Sequence, residues 1–270
     1  MSNNFSVSIV TYNSDLRNLE KTLRSLAGEI DFIESQSNFS VTTIEIVDNA
    51  STEVYRENLK TLVSQLSICT KTLVTLLDKN IGFGQGHNIA LSKSNSNYHL
   101  FLNPDLEFLN HSLIEGLNSL NNNPNIGLVA PRIFNLEMKE QNLHGRKPKL
   151  TDLALRSIAP TFLKRLFKRR LNNLYNVPFD ETITNNDPIF ISGCCMLLNT
   201  QAAKTVNGFS EKYFLYFEDY DFTEKIQNIR SVLINSKFLV KHYGGNTHKK
   251  PLLHWKYYIK SMVKYLYKSK

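Results

Sequence analysis

The chain is predicted to be an α/β protein: a Rossmann-like, mostly parallel twisted sheet flanked by helices, with an amphipathic helix at its C-terminal end. Two patterns predict it. Short apolar runs alternate with amphipathic segments from Phe5 to Asp105, as in right-handed βαβ units. Three of these runs also end in a polar cluster, and in parallel sheets ligands bind beyond the carboxyl ends of the strands. With 270 residues, 41% of them hydrophobic, there is apolar material for one large domain or two small ones.

Phe5-Ser6-Val7-Ser8-Ile9-Val10-Thr11 reads as a buried strand, and a helix is predicted from about Asp15 to Leu26. Thr43-Ile44-Glu45-Ile46-Val47-Asp48 is a second predicted strand, with a helix near Val54 to Leu66 behind it; Thr72 to Leu77 is a third. A glycine-rich turn (Gly82, Gly84, Gly86) leads into a helix near His87 to Lys93, and Tyr98-His99-Leu100-Phe101-Leu102 is a strand stopped by Asn103-Pro104-Asp105. The second half is less regular. Ile126 to Phe134 and Ile189 to Asn199 read as strands around a basic, partly helical insertion at about 145–175. A helix is predicted from Glu218, then short strands near Val232 to Ile234 and Phe238 to His242. The predicted division is a domain over 1–246 and a basic amphipathic helix over 247–270.

Charge is unevenly placed. Residues 145–172 hold nine Lys or Arg against Asp152 alone, and residues 249–270 hold seven Lys and no acid, so the rest of a +8 chain carries −7. A mildly acidic body with two basic appendages points to docking on an anionic surface at two places. In the C-terminal stretch Lys256, Lys260, Lys264 and Lys268 recur every four residues, a band of about 120° on a helix. The opposite arc carries Leu252, Trp255, Tyr258, Ile259, Met262, Val263, Tyr265 and Leu266. That is the composition of an interfacial membrane helix; the alternative is a helix packed on the domain with its lysines in water. Phe162 to Leu171 repeats the pattern, so the expected membrane contacts are 249–270 and 160–172. No run of apolar residues is long enough to span a bilayer. Met1-Ser2-Asn3-Asn4 has no signal-peptide character, and Cys69, Cys194 and Cys195 fit reduced, buried thiols, so the expected location is cytoplasmic.

The densest chemistry lies in Tyr213-Phe214-Leu215-Tyr216-Phe217-Glu218-Asp219-Tyr220-Asp221-Phe222. Aromatic rings around carboxylates lower the local dielectric and raise carboxyl pKa values, which suits a proton acceptor near neutral pH. Acids at the start of a helix also simply stabilise it. Asn103-Pro104-Asp105 reads either as a turn or as a site for a hard divalent cation, Mg²⁺ or Mn²⁺, held by one carboxylate plus substrate phosphates. Asp48 could accept a hydrogen bond from a base or ribose, or cap the following turn; Tyr12 could stack on a base, or pack. His242 ends a short apolar strand and is a candidate third metal ligand, whereas His248 and His254 read as structural. Asn80 to Asn88 resembles a dinucleotide fingerprint but has G-x-G-x-G spacing after the third strand, which argues against hydride transfer.

Taken in order, Ser8-Ile9-Val10-Thr11-Tyr12-Asn13, Val47-Asp48-Asn49-Ala50-Ser51, Asn80-Ile81-Gly82-Phe83-Gly84, Leu102-Asn103-Pro104-Asp105, Gly193, Gly208-Phe209, Tyr216-Phe217-Glu218-Asp219-Tyr220-Asp221 and His242 resemble the family 2 glycosyltransferases, in their bacterial rhamnosyltransferase-like branch. The resemblance runs from about residue 6 to 246. It implies a GT-A fold and inverting transfer from a nucleotide sugar. Thr11, Tyr12 and Asp48 would hold the nucleotide, with Asn13, Asn80, Gly82 and Asn103 completing its site. Asp105, helped by His242, would bind the metal; Asp219 would be the general base, with Glu218 beside it. Ser210, Lys225 and His87 depart from the family pattern, which bears on which sugar is used.

The expected donor is therefore dTDP-L-rhamnose or a UDP-linked sugar, the acceptor a lipid-linked glycan or oligosaccharide, and a homodimer is left open. Rival readings are a nucleotidyltransferase, which would need a glycine- and lysine-rich loop after the first strand, and a non-catalytic membrane- or nucleic-acid-binding protein. Thr11-Tyr12-Asn13-Ser14 is not such a loop, and no signature aromatics of a nucleic-acid module are present, so no nucleic-acid partner is expected.

Overall fold

The computed structural model describes residues 3–66, 72–148, 151–152, 155, 160–175, 177–244 and 252–267. Cys69 and His248 lie outside them, as do several of the basic residues at either end of the C-terminal stretch. The strands are β1 (Asn3–Thr11), β2 (Phe39–Asp48), β3 (Thr72–Leu76), β4 (Tyr98–Leu102), β5 (Leu106–Phe108), β6 (Ile126–Phe134), β7 (Gly145–Arg146), β8 (Thr182–Ile183), β9 (Ile189–Phe190), β10 (Cys195–Asn199) and β11 (Ser231–His242). The helices are α1 (Leu16–Gln36), α2 (Glu53–Leu66), α3 (Phe83–Lys93), α4 (Leu113–Asn122), α5 (Thr161–Leu166), α6 (Lys168–Asn173), α7 (Thr200–Thr205), α8 (Glu218–Gln227) and α9 (Leu252–Tyr267).

One sheet runs in the order β3-β2-β1-β4-β10-β6-β11-β5, with β8 added to β11. The first half is parallel, as the βαβ pattern requires: β1 pairs with β2 and β4, and β2 with β3. The second half is mixed. β10 is antiparallel to both β4 and β6, while β11 is parallel to β6 and antiparallel to β5 and β8. The "mostly parallel" expectation therefore holds for the α/β class but not for this half, because β10 returns after a long insertion and not through a helical crossover.

Alternation along the strands builds a core on each face of the sheet. Leu100 and Leu102 face one side with α1, α2 and α4, through Leu19, Leu23, Leu59 and Leu117. Phe101, Met196 and Leu198 face the other with α7, α8 and the segment between them, through Ala202, Phe209, Phe222 and Ile226. Cys194 and Cys195 are buried and unlinked, and both join the first of these clusters because the strand begins only at Cys195.

Several boundaries differ from the sequence reading for local reasons. α1 continues past Gly28 to Gln36, since Ile30 and Ile33 extend its buried stripe. α3 starts at Phe83, following Gly82 at φ +94°, where an added Cβ would sit 2.3 Å from the Phe214 carbonyl oxygen. The two strands expected near Val232 and Phe238 are one, β11, with a register irregularity between Asn235 and Leu239. There the Asn235 side chain accepts from Lys237 N at 2.7 Å and Phe238 N at 3.0 Å.

α9 lies against the segment before α8. Tyr258, Met262, Tyr265 and Leu266 pack with Tyr213, Tyr216, Phe217 and Tyr220. The arc expected to face lipid is thus divided, since these four residues are spent on the domain. Trp255, Ile259, Val263 and Tyr267 remain 48%, 52%, 43% and 72% exposed. Phe162, Leu166 and Phe167 of the insertion are exposed as well. Among the described residues no helix is long and apolar enough to cross a membrane.

Candidate active site

The carboxyl ends of β1, β2 and β4, the start of α3, the 214–215 segment and the first turns of α9 enclose a cavity of about 730 Å³, within the size range of a small-molecule site. Thr11, Tyr12, Asn80, Gly82, Asn103 and Asp105 all line it. Thr11 is buried, whereas Tyr12 is 55% exposed. Asn49, at the end of β2, organises this side: its Oδ1 accepts from Ile81 N at 2.8 Å and its Nδ2 donates to Gly82 O at 3.0 Å. Asn80 Oδ1 accepts from Gly82 N at 3.0 Å. The glycine-rich turn is thereby fixed across the mouth of β1.

Of the two roles the sequence offered for Asp48, the structure shows turn capping and not a place in the cavity. Asp48 is fully buried and outside the cavity lining. Its Oδ2 accepts from Arg56 Nε at 2.9 Å and from Ser51 N at 3.1 Å, and its Oδ1 from Thr11 at 3.4 Å. Both carboxylate oxygens are engaged within the protein, which is the turn-capping role. Asn13 is also outside the lining. At φ +47°, it accepts from Thr52 N at 3.0 Å and donates to Ser51 Oγ at 2.8 Å, tying the β1 loop to the β2 loop.

On the opposite wall Asn103 N donates to Cys194 O at 2.8 Å, and Asp105 O accepts from Tyr243 N at 2.8 Å. The Asp105 carboxylate lies 3.4 Å from His242 Nε2, whose ring is oriented by Gln141 at 3.3 Å. Asn103 Oδ1 is buried without a hydrogen-bond partner among the described residues, and Asp105 Oδ1, also buried, accepts no hydrogen bond there and has the 3.4 Å contact to His242 Nε2. Leaving such acceptors unmade is costly, and a hard cation satisfies them. Among the described residues no cluster of three or more His, Cys, Asp and Glu forms a complete cage. Asp105 and His242 therefore suit a cation that takes its other ligands from phosphate and water. Gly244 makes room for this pair: a Cβ there would lie 2.2 Å from Asp105 Oδ2 and 3.0 Å from His242 Nε2.

Glu218 and Asp219 occupy the first turn of α8, outside the lining. Asp219 Oδ2 accepts from Gly193 N at 3.1 Å and Oδ1 from Tyr220 N at 3.0 Å. The adjoining Cys194 carbonyl is the one that holds Asn103, so a single loop connects the base candidate to the metal candidate. Burial pushes the Asp219 carboxyl up to about 6, against the opposing pull of those N–H groups. Burial, and then the charge of Asp219, push Glu218 well above the usual carboxylate range. Glu218 is thus pushed toward its protonated form and Asp219 is the acid of the pair held nearer to neutral pH, a division of roles between two adjacent acids.

The sequence reading missed Asn49 as a loop tie, and it set His254 aside. His254 and Tyr257, from α9, line the cavity with Phe214 and Leu215. The Tyr257 ring lies 4.7 Å from that of Phe214, and His254 Nδ1 lies 2.9 Å from the Tyr216 hydroxyl. The only sequence signal for them is the aromatic density of both segments.

The model of the family described as glycosyl transferase family 2 matches residues 6–204. Against curated protein sequences the chain finds no match. Among solved structures it is similar to the 1–349 part of S. aureus TarS in complex with UDP, at TM-score 0.58 and 20% identity over 90% of this chain and 61% of that one. It is similar to the mannosyltransferase PcManGT of Pyrobaculum calidifontis with GDP-Man and Mn²⁺, at TM-score 0.61 and 14% identity over 97% and 64%. With GalNAc-T7 bound to UDP, GalNAc and Mn²⁺ the TM-score is 0.64 and the identity 13%, over 89% and 44%. At these identities the likeness is one of fold, and the chain spans less than two thirds of each of these structures.

Proposed function

We propose, for a chain that belongs to glycosyl transferase family 2, an inverting transfer of one sugar from a nucleoside-diphosphate sugar to a hydroxyl of a lipid-linked glycan. The observation that carries this reading is the pair of buried acceptor oxygens on Asn103 and Asp105, neither accepting a hydrogen bond among the described residues and the latter beside His242, in the same cavity as Thr11, Tyr12 and Asn80. Thr11, Tyr12 and the Asn49-braced loop hold the nucleotide. Asp105 and His242 would hold Mg²⁺ or Mn²⁺, which supplies charge neutralisation for the departing diphosphate. Asp219 takes the proton of the acceptor hydroxyl while that oxygen bonds to the anomeric carbon and the bond to the diphosphate oxygen breaks. One in-line displacement inverts the anomeric centre.

The donor we favour is dTDP-L-rhamnose, on the rhamnosyltransferase-like motif pattern. The acceptor is assigned to a lipid because Trp255, Ile259, Val263 and Tyr267 stay exposed beside Lys256, Lys260 and Lys264. An apolar stripe edged by cations suits an anionic membrane surface, and the protein would act there from the cytoplasmic side. The test is a thermal-shift panel of dTDP, UDP and GDP with and without Mn²⁺. The expected result is stabilisation that needs nucleotide and Mn²⁺ together, largest for dTDP. A larger effect of UDP or GDP would reassign the donor. Stabilisation by none, or without dependence on Mn²⁺, would remove the reading.

A further inference from the structure

Two consecutive aromatic residues immediately before α8, Tyr216 at φ +69° and Phe217 at φ +66°, adopt the left-handed backbone region. Bulky residues avoid this region unless their surroundings impose it. Phe217 is also the N-cap of α8 and supplies no side-chain cap. What surrounds these residues comes largely from α9. The Tyr216 hydroxyl meets His254 Nδ1 at 2.9 Å. Tyr258 packs on both rings, at 5.7 Å from Tyr216 and 5.3 Å from Phe217, and Tyr265 lies 5.6 Å from Phe217. Ser261 Oγ donates to the Leu215 carbonyl at 2.8 Å. Glu218 and Asp219 follow directly in the chain.

We infer that α9 is a working part of the catalytic site: its inner face holds Tyr216–Phe217 in the left-handed conformation and thereby places Asp219, with His254 a positioning residue. This rests on the reading of Asp219 as the general base. It goes beyond it by assigning a reaction role to a helix that lies past the family-matched span of 6–204. It also separates the two faces of α9. The outer stripe meets a surface, while the inner face, with Tyr257 and His254 in the cavity wall, sets the base.

The experiment uses the full chain with Tyr216→Phe, His254→Leu, His254→Gln and Asp219→Asn. Release of nucleoside diphosphate to water from dTDP-L-rhamnose and UDP-GlcNAc with Mn²⁺ gives kcat and KM, and hydrogen exchange over 213–222 gives a readout that needs no turnover. Displacing a catalytic group by a fraction of an ångström to an ångström costs on the order of 10–100-fold in rate. The expected result is a loss of that size in kcat for Tyr216→Phe and His254→Leu, with KM for the donor unchanged in Tyr216→Phe, whose side chain is outside the cavity lining, and partial recovery of kcat in His254→Gln, which keeps a hydrogen-bonding group. Exchange over 213–222 should quicken in His254→Leu and not in β1 or β4. Unchanged kcat in both variants, a loss confined to KM in Tyr216→Phe, or unchanged exchange at 213–222 would overturn the inference. Full activity of Asp219→Asn would instead defeat the base assignment, and exchange alone would then judge the placement by α9. Tyr216→Phe removes only a hydroxyl, so it remains informative if His254→Leu fails to fold.

Discussion

A base held at a raised pKa destabilises the fold that holds it, and this has a measurable sign. The Asp219 carboxyl moves from its ordinary 3.8 to about 6 on folding. Between those values the folded protein binds the proton and the unfolded chain does not, so stability falls as pH rises through the window. At about 1.4 kcal/mol per tenfold change, the loss comes to at most about 3 kcal/mol. It is smaller to the extent that the half-buried carboxylate keeps water. Asp219→Asn abolishes this titration but also disturbs the contacts to Gly193 N and Tyr220 N. The informative quantity is therefore a slope. Urea unfolding of both proteins at intervals from pH 4 to 7 should show the variant gaining on the parent by about 2–3 kcal/mol, all of it below about pH 6.5. Contributions of distant groups cancel in the difference, while Glu218, which the Asp219 charge helps to hold up in the parent, is released from that push in the variant and moves the difference in the same direction. A difference that is flat with pH, or that shrinks as pH rises, would refute the assignment of Asp219 as a carboxyl of raised pKa. In the parent, turnover should fall as pH drops through about 6, since the base is then protonated.

Gly244→Ala places a methyl 2.2 Å from Asp105 Oδ2, so the carboxylate must move by about 1 Å, enough for roughly a 10²-fold loss of Mn²⁺-dependent turnover; Mn²⁺ titrations of nucleotide binding that match the parent would count against the metal site. Replacing Trp255 and Ile259 together with Ser should lower flotation with anionic vesicles at least tenfold while leaving nucleotide binding intact, and equal flotation would return the outer stripe to solvent. Burial holds His99 down to about 3 and His87 well below its usual range. Their ordinary values near 6.5 in the unfolded chain mean that stability is lost as pH falls below about 6.5, and His99→Gln should make that acid limb shallower in urea titrations.

Much of the site was legible because parallel strands place their polar ends in one row. Thr11, Asn103 and Asp105 could be found as residues that stop apolar runs, Asn80 only through the family resemblance, and all four share one cavity. Asp48 was found by the same rule and is consumed by Arg56, eight residues later on α2. Nothing in the spacing distinguishes a carboxylate facing a ligand from one facing a neighbouring helix. The C-terminal helix shows the same limit. Its amphipathicity was plain, but half of its apolar arc belongs to Tyr213, Phe217 and Tyr220. Only tertiary packing reveals that division, and with it the arrival of His254 and Tyr257 at the cavity. The mixed second half of the sheet was hidden for a similar reason, since β10 pairs with β4 across about 95 residues of chain.

The central claim is that a nucleotide and a cation on Asp105 in the cavity act on a single sugar together with a base at Asp219, which is tied to the Asn103 wall through the Gly193–Cys194 loop. A crystal structure of the chain with dTDP and Mn²⁺ tests it most directly. An anomalous Mn²⁺ peak bonded to Asp105, with the diphosphate between it and the Asp219 side and the base near Tyr12, is the expected result. Nucleotide seated elsewhere, or Mn²⁺ absent from Asp105 while dTDP is bound, would contradict it.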